Sequence, residues 1–277
     1  MSASDDKHAL CGAALHEADR DRWLAAMFAP DAARPHLFAL YAFNAEVARI
    51  GDHVSQPILG DIRLQWWIDV MNGERAGEAL ANPTAAALLE TIEKFDLPRE
   101  KLLDLLEARR FDFYDDPAPD QAFVDKYGEE TCSVLFAFAC RILGGAGAPE
   151  ASAPAGRAYA LTGLLRAFPW QVARRKCFLP LDLLARRGLR PVDLFSLARS
   201  GEVKAALAEL RALARKDLAE AKQAVLALPK PEREAFRLLA LPELYLRKME
   251  DGDHDPYVGP EDVAPWRRQW ALWRNKI

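Results

Sequence analysis

Side chains able to bind or transfer charge gather in two segments. Residues 38–53, FALYAFNAEVARIGDH, carry Glu46, Arg49 and Asp52 among apolar positions. Residues 159–180, YALTGLLRAFPWQVARRKCFLP, carry Arg166 and end on Arg174, Arg175 and Lys176 before a Leu-Pro stop. Three adjacent cations near a helix end can hold a phosphate or an anionic headgroup without metal. The helix dipole alone also favours cations there, so an anion site and an ordinary helix-end cap both fit. Asp52 reads as a surface charge or as a partner of Arg49 or Arg63. Other candidates carry less. Four cysteines, Cys11, Cys132, Cys140 and Cys177, lack CxxC spacing and read as reduced, mostly buried thiols. The five histidines are scattered, and no Ser-His-Asp or Cys-His arrangement follows from their spacing. Asp251, Asp253, His254 and Asp255 lack the ligand spacing and closing Glu of a calcium loop, and read as a solvated turn. Arg109, Arg110, Asp112, Asp115 and Asp116 read as a charged helix end with ordinary salt bridges.

The elements that must position these residues are helices. Apolar residues recur three and four apart, as in Val203, Leu207, Leu210 and Leu213, and alternating strand patterns are hard to find. Breaks fall at Pro30, Pro57, Pro83, Pro98, 116–119, 144–149, Pro180, 229–231 and 251–260. They predict eight to ten helices with connections of ordinary length. The stretch 144–154, rich in Gly, Ala and Pro, reads as a flexible interhelical loop too short to link domains. An all-α, single-domain bundle over 1–277 is the expectation, with a C-terminal helix at about 262–277 set peripherally. The 277 residues are 51% hydrophobic and 28% charged, enough for a sizeable core. A net charge of −4 gives no general attraction to nucleic acid, so no nucleic-acid partner is expected. The N-terminal residues lack the basic and apolar regions of a signal peptide, and no apolar run reaches membrane-spanning length. The expected location is cytoplasmic, with peripheral contact at the inner face of a membrane. That contact is placed on Trp266, Trp270 and Trp273, which share one helical face beside Arg267, Arg268, Arg274 and Lys276. Packing of the same tryptophans into the bundle is the alternative.

Together the two segments resemble the signature regions of squalene and phytoene synthases, and the resemblance spans most of the chain. Ala39-Leu40-Tyr41-Ala42-Phe43 matches the opening of the first region, and Leu161-Thr162, Leu165-Arg166 and Leu179-Pro180 match the second. The family's carboxylates hold Mg²⁺ against a departing diphosphate. At the matching positions this chain has Ala48, Arg49, Ala167 and Gln171, and only Asp52 is acidic. The family's phosphate-binding Arg corresponds to Ala45, and its Gln and Asn to Ala160 and Gly163. Ala42-Phe43-Asn44, Arg174-Arg175-Lys176 before Phe178-Leu179-Pro180, and the stretch from Tyr127 through Thr131, Ser133 and Leu135 to Leu143-Gly144 resemble one branch: mitochondrial complex I assembly factors with a phytoene-synthase-like domain, and their bacterial relatives.

The resemblance implies an isoprenoid-synthase bundle with no catalytic residue, metal ligand or cofactor. It implies action in respiratory complex I assembly or lipid binding near a membrane. Its implied partners are an isoprenoid or lipid ligand and a respiratory-complex subunit. Tyr41, Phe43, Phe136 and Phe138 would line the apolar cavity, with Asp52, Arg166, Arg174, Arg175 and Lys176 at its polar end. The competing expectation is a Mg²⁺-dependent transferase that condenses two prenyl diphosphates head to head.

Overall fold

The computed structural model describes residues 3–54, 56–258 and 263–274. Every regular element among them is helical. The chain runs through α1 (Ala3–Ala18), α2 (Arg20–Ala26), α3 (Arg34–Ala48), α4 (Ile50–His53), α5 (Pro57–Asn72), α6 (Ala76–Ala81), α7 (Pro83–Phe95) and α8 (Arg99–Arg109). It continues through α9 (Gln121–Gly128), a π turn (Glu129–Ser133), α10 (Val134–Ile142), α11 (Pro149–Ala173), α12 (Leu181–Arg186), α13 (Ser200–Leu226), α14 (Lys230–Arg233), α15 (Ala240–Met249) and α16 (Pro265–Arg274).

The helices outnumber the eight to ten read from the sequence because several are single turns, such as α4 and α14, too short to show a period. The breaks themselves have physical causes. Pro57, Pro83 and Pro149 each open a helix, where the absent N–H costs nothing. The Asn82 side chain caps α7 by accepting from the Ala85 N–H. Gly73 adopts the left-handed φ of 82° that separates α5 from α6. One boundary differs from expectation. The segment read as a loop over 144–154 is helical from Pro149 onward, because a proline is favoured at the first helical position and Pro154 interrupts only one bond of a long helix.

α3 is buried nearly all round, from Leu37 and Leu40 to Phe43 and Val47, as a helix at the centre of a bundle must be. Around it pack α1, α2, α7, α8 and α10. α11 and α13 form the longest contact. The α13 stripe Val203, Ala206, Leu207, Leu210, Ala214, Leu218 and Ala221 repeats every three or four residues and faces α11. On α11, Leu161, Leu164 and Leu165 lie with Leu207 and Leu210, and Arg157 pairs with Asp217 at 2.9 Å; other buried residues of α11 are small, among them Ala151, Ala155, Ala158 and Thr162. Small side chains let backbones approach closely. The tightest approach is at Gly156, where an added Cβ would stand 2.0 Å from Ser133 Oγ, 2.2 Å from its N and 2.4 Å from its Cα. The π turn is thereby pinned to α11, and Ser133 Oγ donates to the Ala153 carbonyl across the seam at 3.0 Å.

All four cysteines are buried and unpaired. No helix among the described residues is long and apolar enough to cross a membrane. Of the predicted C-terminal helix, Asp262 and residues 275–277, including Lys276, lie outside the described residues.

The seam at Gly156 generates a prediction. In Gly156→Ala the new methyl meets backbone atoms that cannot step aside, so the variant should lose about 3 kcal/mol or more of stability. A denaturant midpoint equal to the parent's would contradict this.

Candidate functional site

The two signature segments meet at one end of the bundle. α3 and α4 carry the first, α11 and its C-terminal turn the second. Asp52 Oδ1 and Arg174 Nη1 are 3.5 Å apart with both side chains more than half exposed. A surface pair of that length contributes little energy, but it joins the segments. Among the described residues Asp52 makes no ion pair with Arg49 or Arg63, the partners its sequence position suggested. Lys176 Nζ lies 2.9 Å from Asp115 Oδ1, and Arg175 is exposed at a left-handed φ of 57°. The three cations thus spread along a rim, two of them facing acids, rather than closing on one point.

The remaining candidate residues diverge. Arg166 turns towards α15, where its guanidinium lies 3.5 Å from the centre of the Tyr245 ring. Phe43 is fully buried, edge-on to Trp67 of α5 at 4.9 Å between ring centres. Phe136 stacks on Phe236 at 5.6 Å. Tyr41 is buried, and burial pushes its hydroxyl up to about 12.

Between α2, α8, α9, the π turn and α11 lies a largely buried polar cluster, of which the sequence showed the Arg109–Asp112 ion pair and nothing more. Arg109 Nη1 donates to Tyr127 Oη at 2.8 Å and to Asp112 Oδ2 at 3.1 Å, and Tyr127 Oη donates to Asp112 Oδ1 at 2.7 Å, closing a triangle. On the other side Arg22 pairs with Asp19 and lies over the Tyr159 ring, 4.9 Å from its centre. Cys132 lies within electrostatic reach of both arginines and both tyrosines. Burial disfavours charge on either guanidinium, yet the tyrosines and carboxylates around them hold both protonated beyond the ordinary arginine range. Burial likewise raises the Tyr127 and Tyr159 hydroxyls, which stay neutral. The sequence signal was slight: Asp19–Arg22 and Arg109–Asp112 are i,i+3 pairs, a spacing that says nothing about burial.

A magnesium and diphosphate cluster does not fit these residues. Ala48 and Ala167 offer no ligand atom. Gln171 is buried and its amide donates to the Leu164 carbonyl at 3.1 Å, beside the break that Pro169 makes in α11. Gly163 faces open space where the matching family position has an Asn. Asp52, the acidic side chain left at these positions, is engaged by Arg174. Beside this face a cleft of about 420 Å³ lies between α1, α3 and α5. Ala42, Ala45 and Trp67 line its apolar wall and Arg49, His53 and Arg63 its polar one.

The model of the squalene/phytoene synthase family matches residues 15–274. The chain belongs to that family. A phytoene synthase of Thermus thermophilus is 30% identical over 200 residues, 70% of this chain and 66% of that protein. Complex I assembly factor 6 of Bos taurus is 27% identical over 247 residues, 88% of this chain and 74% of that protein. Among solved structures, a squalene synthase from Alicyclobacillus acidocaldarius superposes with a TM-score of 0.77 at 18% identity, over 89% of this chain and 94% of that one. The all-α bundle is thus the squalene/phytoene synthase fold.

The Arg109 triangle can be tested by itself. Arg109→Met removes the charge and keeps the stem, leaving Asp112 without its cation, and should cost about 2–3 kcal/mol. Urea unfolding of parent and variant measures this directly, and a difference below about 0.5 kcal/mol, the range of ordinary surface changes, would show that the cluster is dispensable.

Proposed function

We propose that this chain is a non-catalytic member of the squalene/phytoene synthase family that assists assembly of respiratory complex I at the inner face of the membrane. The observation that carries the reading is the coordinated replacement of diphosphate and metal contacts at Ala45, Ala48, Ala160, Gly163, Ala167 and Gln171. Gln171 adds weight, since a position that holds a carboxylate in catalytic relatives here serves the helix itself. The likeness to complex I assembly factor 6 over most of the chain supports the partner class. An isoprenoid or other lipid is the proposed ligand, with Asp52, Arg174, Arg175 and Lys176 as its polar boundary; Tyr41 and Arg166, expected beside them, are turned elsewhere.

The proposed membrane contact is α16. Trp266, Trp270 and Trp273 are 63%, 52% and 62% exposed, while Leu272 on the opposite side is buried. Arg267 lies over the Trp266 ring, 5.3 Å from its centre. Amphipathic rings with cations beside them suit the headgroup layer of a bilayer.

Two experiments decide between readings. Incubated with farnesyl or geranylgeranyl diphosphate and Mg²⁺, the protein should release no diphosphate; squalene or phytoene among the products would replace this proposal with the head-to-head transferase. In flotation with anionic phospholipid vesicles, Trp266→Ala/Trp270→Ala/Trp273→Ala should bind at least about tenfold more weakly than the parent, since several exposed aromatic surfaces are withdrawn from the bilayer. Equal flotation of both would remove α16 as the contact.

A further inference from the structure

α1, α3 and α7 meet along a separate cleft of about 470 Å³, lined among others by His8, His36, Glu90 and Lys94. No residue of the signature rim takes part. His8 comes from α1, His36 from α3 and Glu90 from α7, and one ligand atom of each lies within 4.8 Å of the other two. Both imidazoles are buried and stand edge to face, 4.9 Å between centres. Three helices packed pairwise against one another hold the donors, a stiffer frame than any loop.

The tautomer of His36 is fixed by its neighbour. Thr91 Oγ1 spends its hydrogen on the Ala87 carbonyl at 2.8 Å, so it can only accept from His36 Nδ1–H, 2.9 Å away. The lone pair is therefore on Nε2, turned into the cleft. An Nδ1–H held from behind with the lone pair on Nε2 is the usual arrangement of a metal-binding histidine. Cations already stand against two of the three donors: Lys94 Nζ is 2.9 Å from His36 Nε2, and Lys7 Nζ is 2.6 Å from Glu90 Oε2. Lys94 is exposed and can withdraw into water without disturbing the core.

We propose that His8, His36 and Glu90 bind a divalent transition ion of the Zn²⁺ type, displacing the Lys94 and Lys7 ammonium groups and leaving a coordination position open to the cleft. Two imidazoles and one carboxylate suit Zn²⁺ and its neighbours, whereas Mg²⁺ and Ca²⁺ take oxygen donors. The bound ion fastens the N-terminal helix to α3 and α7. No bond is made or broken other than coordination, and the lysines keep their protons.

The test uses the full chain, stripped with a chelator and titrated with Co²⁺ alone. The expected result is one equivalent bound, with visible d–d absorption of a low-coordinate site, displaced by Zn²⁺, and a higher unfolding temperature. Glu90→Gln changes only a half-buried side chain, so it should fold, and should weaken binding by at least about tenfold. Lys94→Met removes the competing ammonium and should tighten binding. His8→Asn should abolish the absorption, and its circular dichroism shows whether the fold is kept. The proposal is overturned if the parent gives no Co²⁺ absorption, if Glu90→Gln binds as tightly as the parent, or if Lys94→Met binds no more tightly.

Discussion

Placing guanidinium groups inside a helical bundle is the constraint to which much of this structure answers. An arginine taken out of water must meet acceptors that replace its hydration, and those acceptors must come from different helices to reach all around it. Arg109 draws Asp112 and Tyr127 together across α8 and α9, and Arg22 draws Asp19 and Tyr159 together across α2 and α11. The space between α2, α8 and α11 is thus occupied by a matched set of charges. Such a set is specific in its geometry: a helix that slid by one turn would strand a charge, so the polar interior fixes register while α11 and α13 make the largest single helix–helix contact.

Much of this was legible in the residues. The prolines at 57, 83, 98 and 180 marked helix starts correctly, because a proline acts on its own backbone whatever its surroundings. The start of α11 was misread since Gly and Pro in 144–154 looked like a loop, while Pro149 is a good first residue of a helix. The rim was partly legible: the sequence placed Asp52 and Arg174 in matching segments, and they face each other. The pairing itself could not be read, nor could the outward turn of Arg166 onto Tyr245, because direction on a helix depends on which neighbour arrives. Arg22, Arg109, His8 and His36 were least visible. Local spacing offers each arginine its acid three residues away, but Tyr159, Tyr127 and Thr91 come from other helices and leave no trace in it.

Loss of a catalytic ligand need not leave a gap. At Gln171 the side chain tends the backbone beside Pro169; at Ala48 and Ala167 small methyls remain; at Gly163 there is open space. The family scaffold tolerates these changes because its stability resides elsewhere, in the α3 core and the α11–α13 seam. Side chains at this end of the bundle can thus differ without disturbing the packing, and the fold by itself does not dictate the chemistry carried there.

α16 reaches the bundle through polar ties as well as Leu272. Arg268 pairs with Asp21 of α2 at 2.8 Å, and Arg237 Nη1 donates to the Leu272 carbonyl at 2.6 Å. The tryptophan face is thereby a keel fixed to the hull rather than an anchor on a rope. A surface that met this face would fix the heading of the helices behind it, and the Asp52–Arg174 rim would meet that surface at one angle.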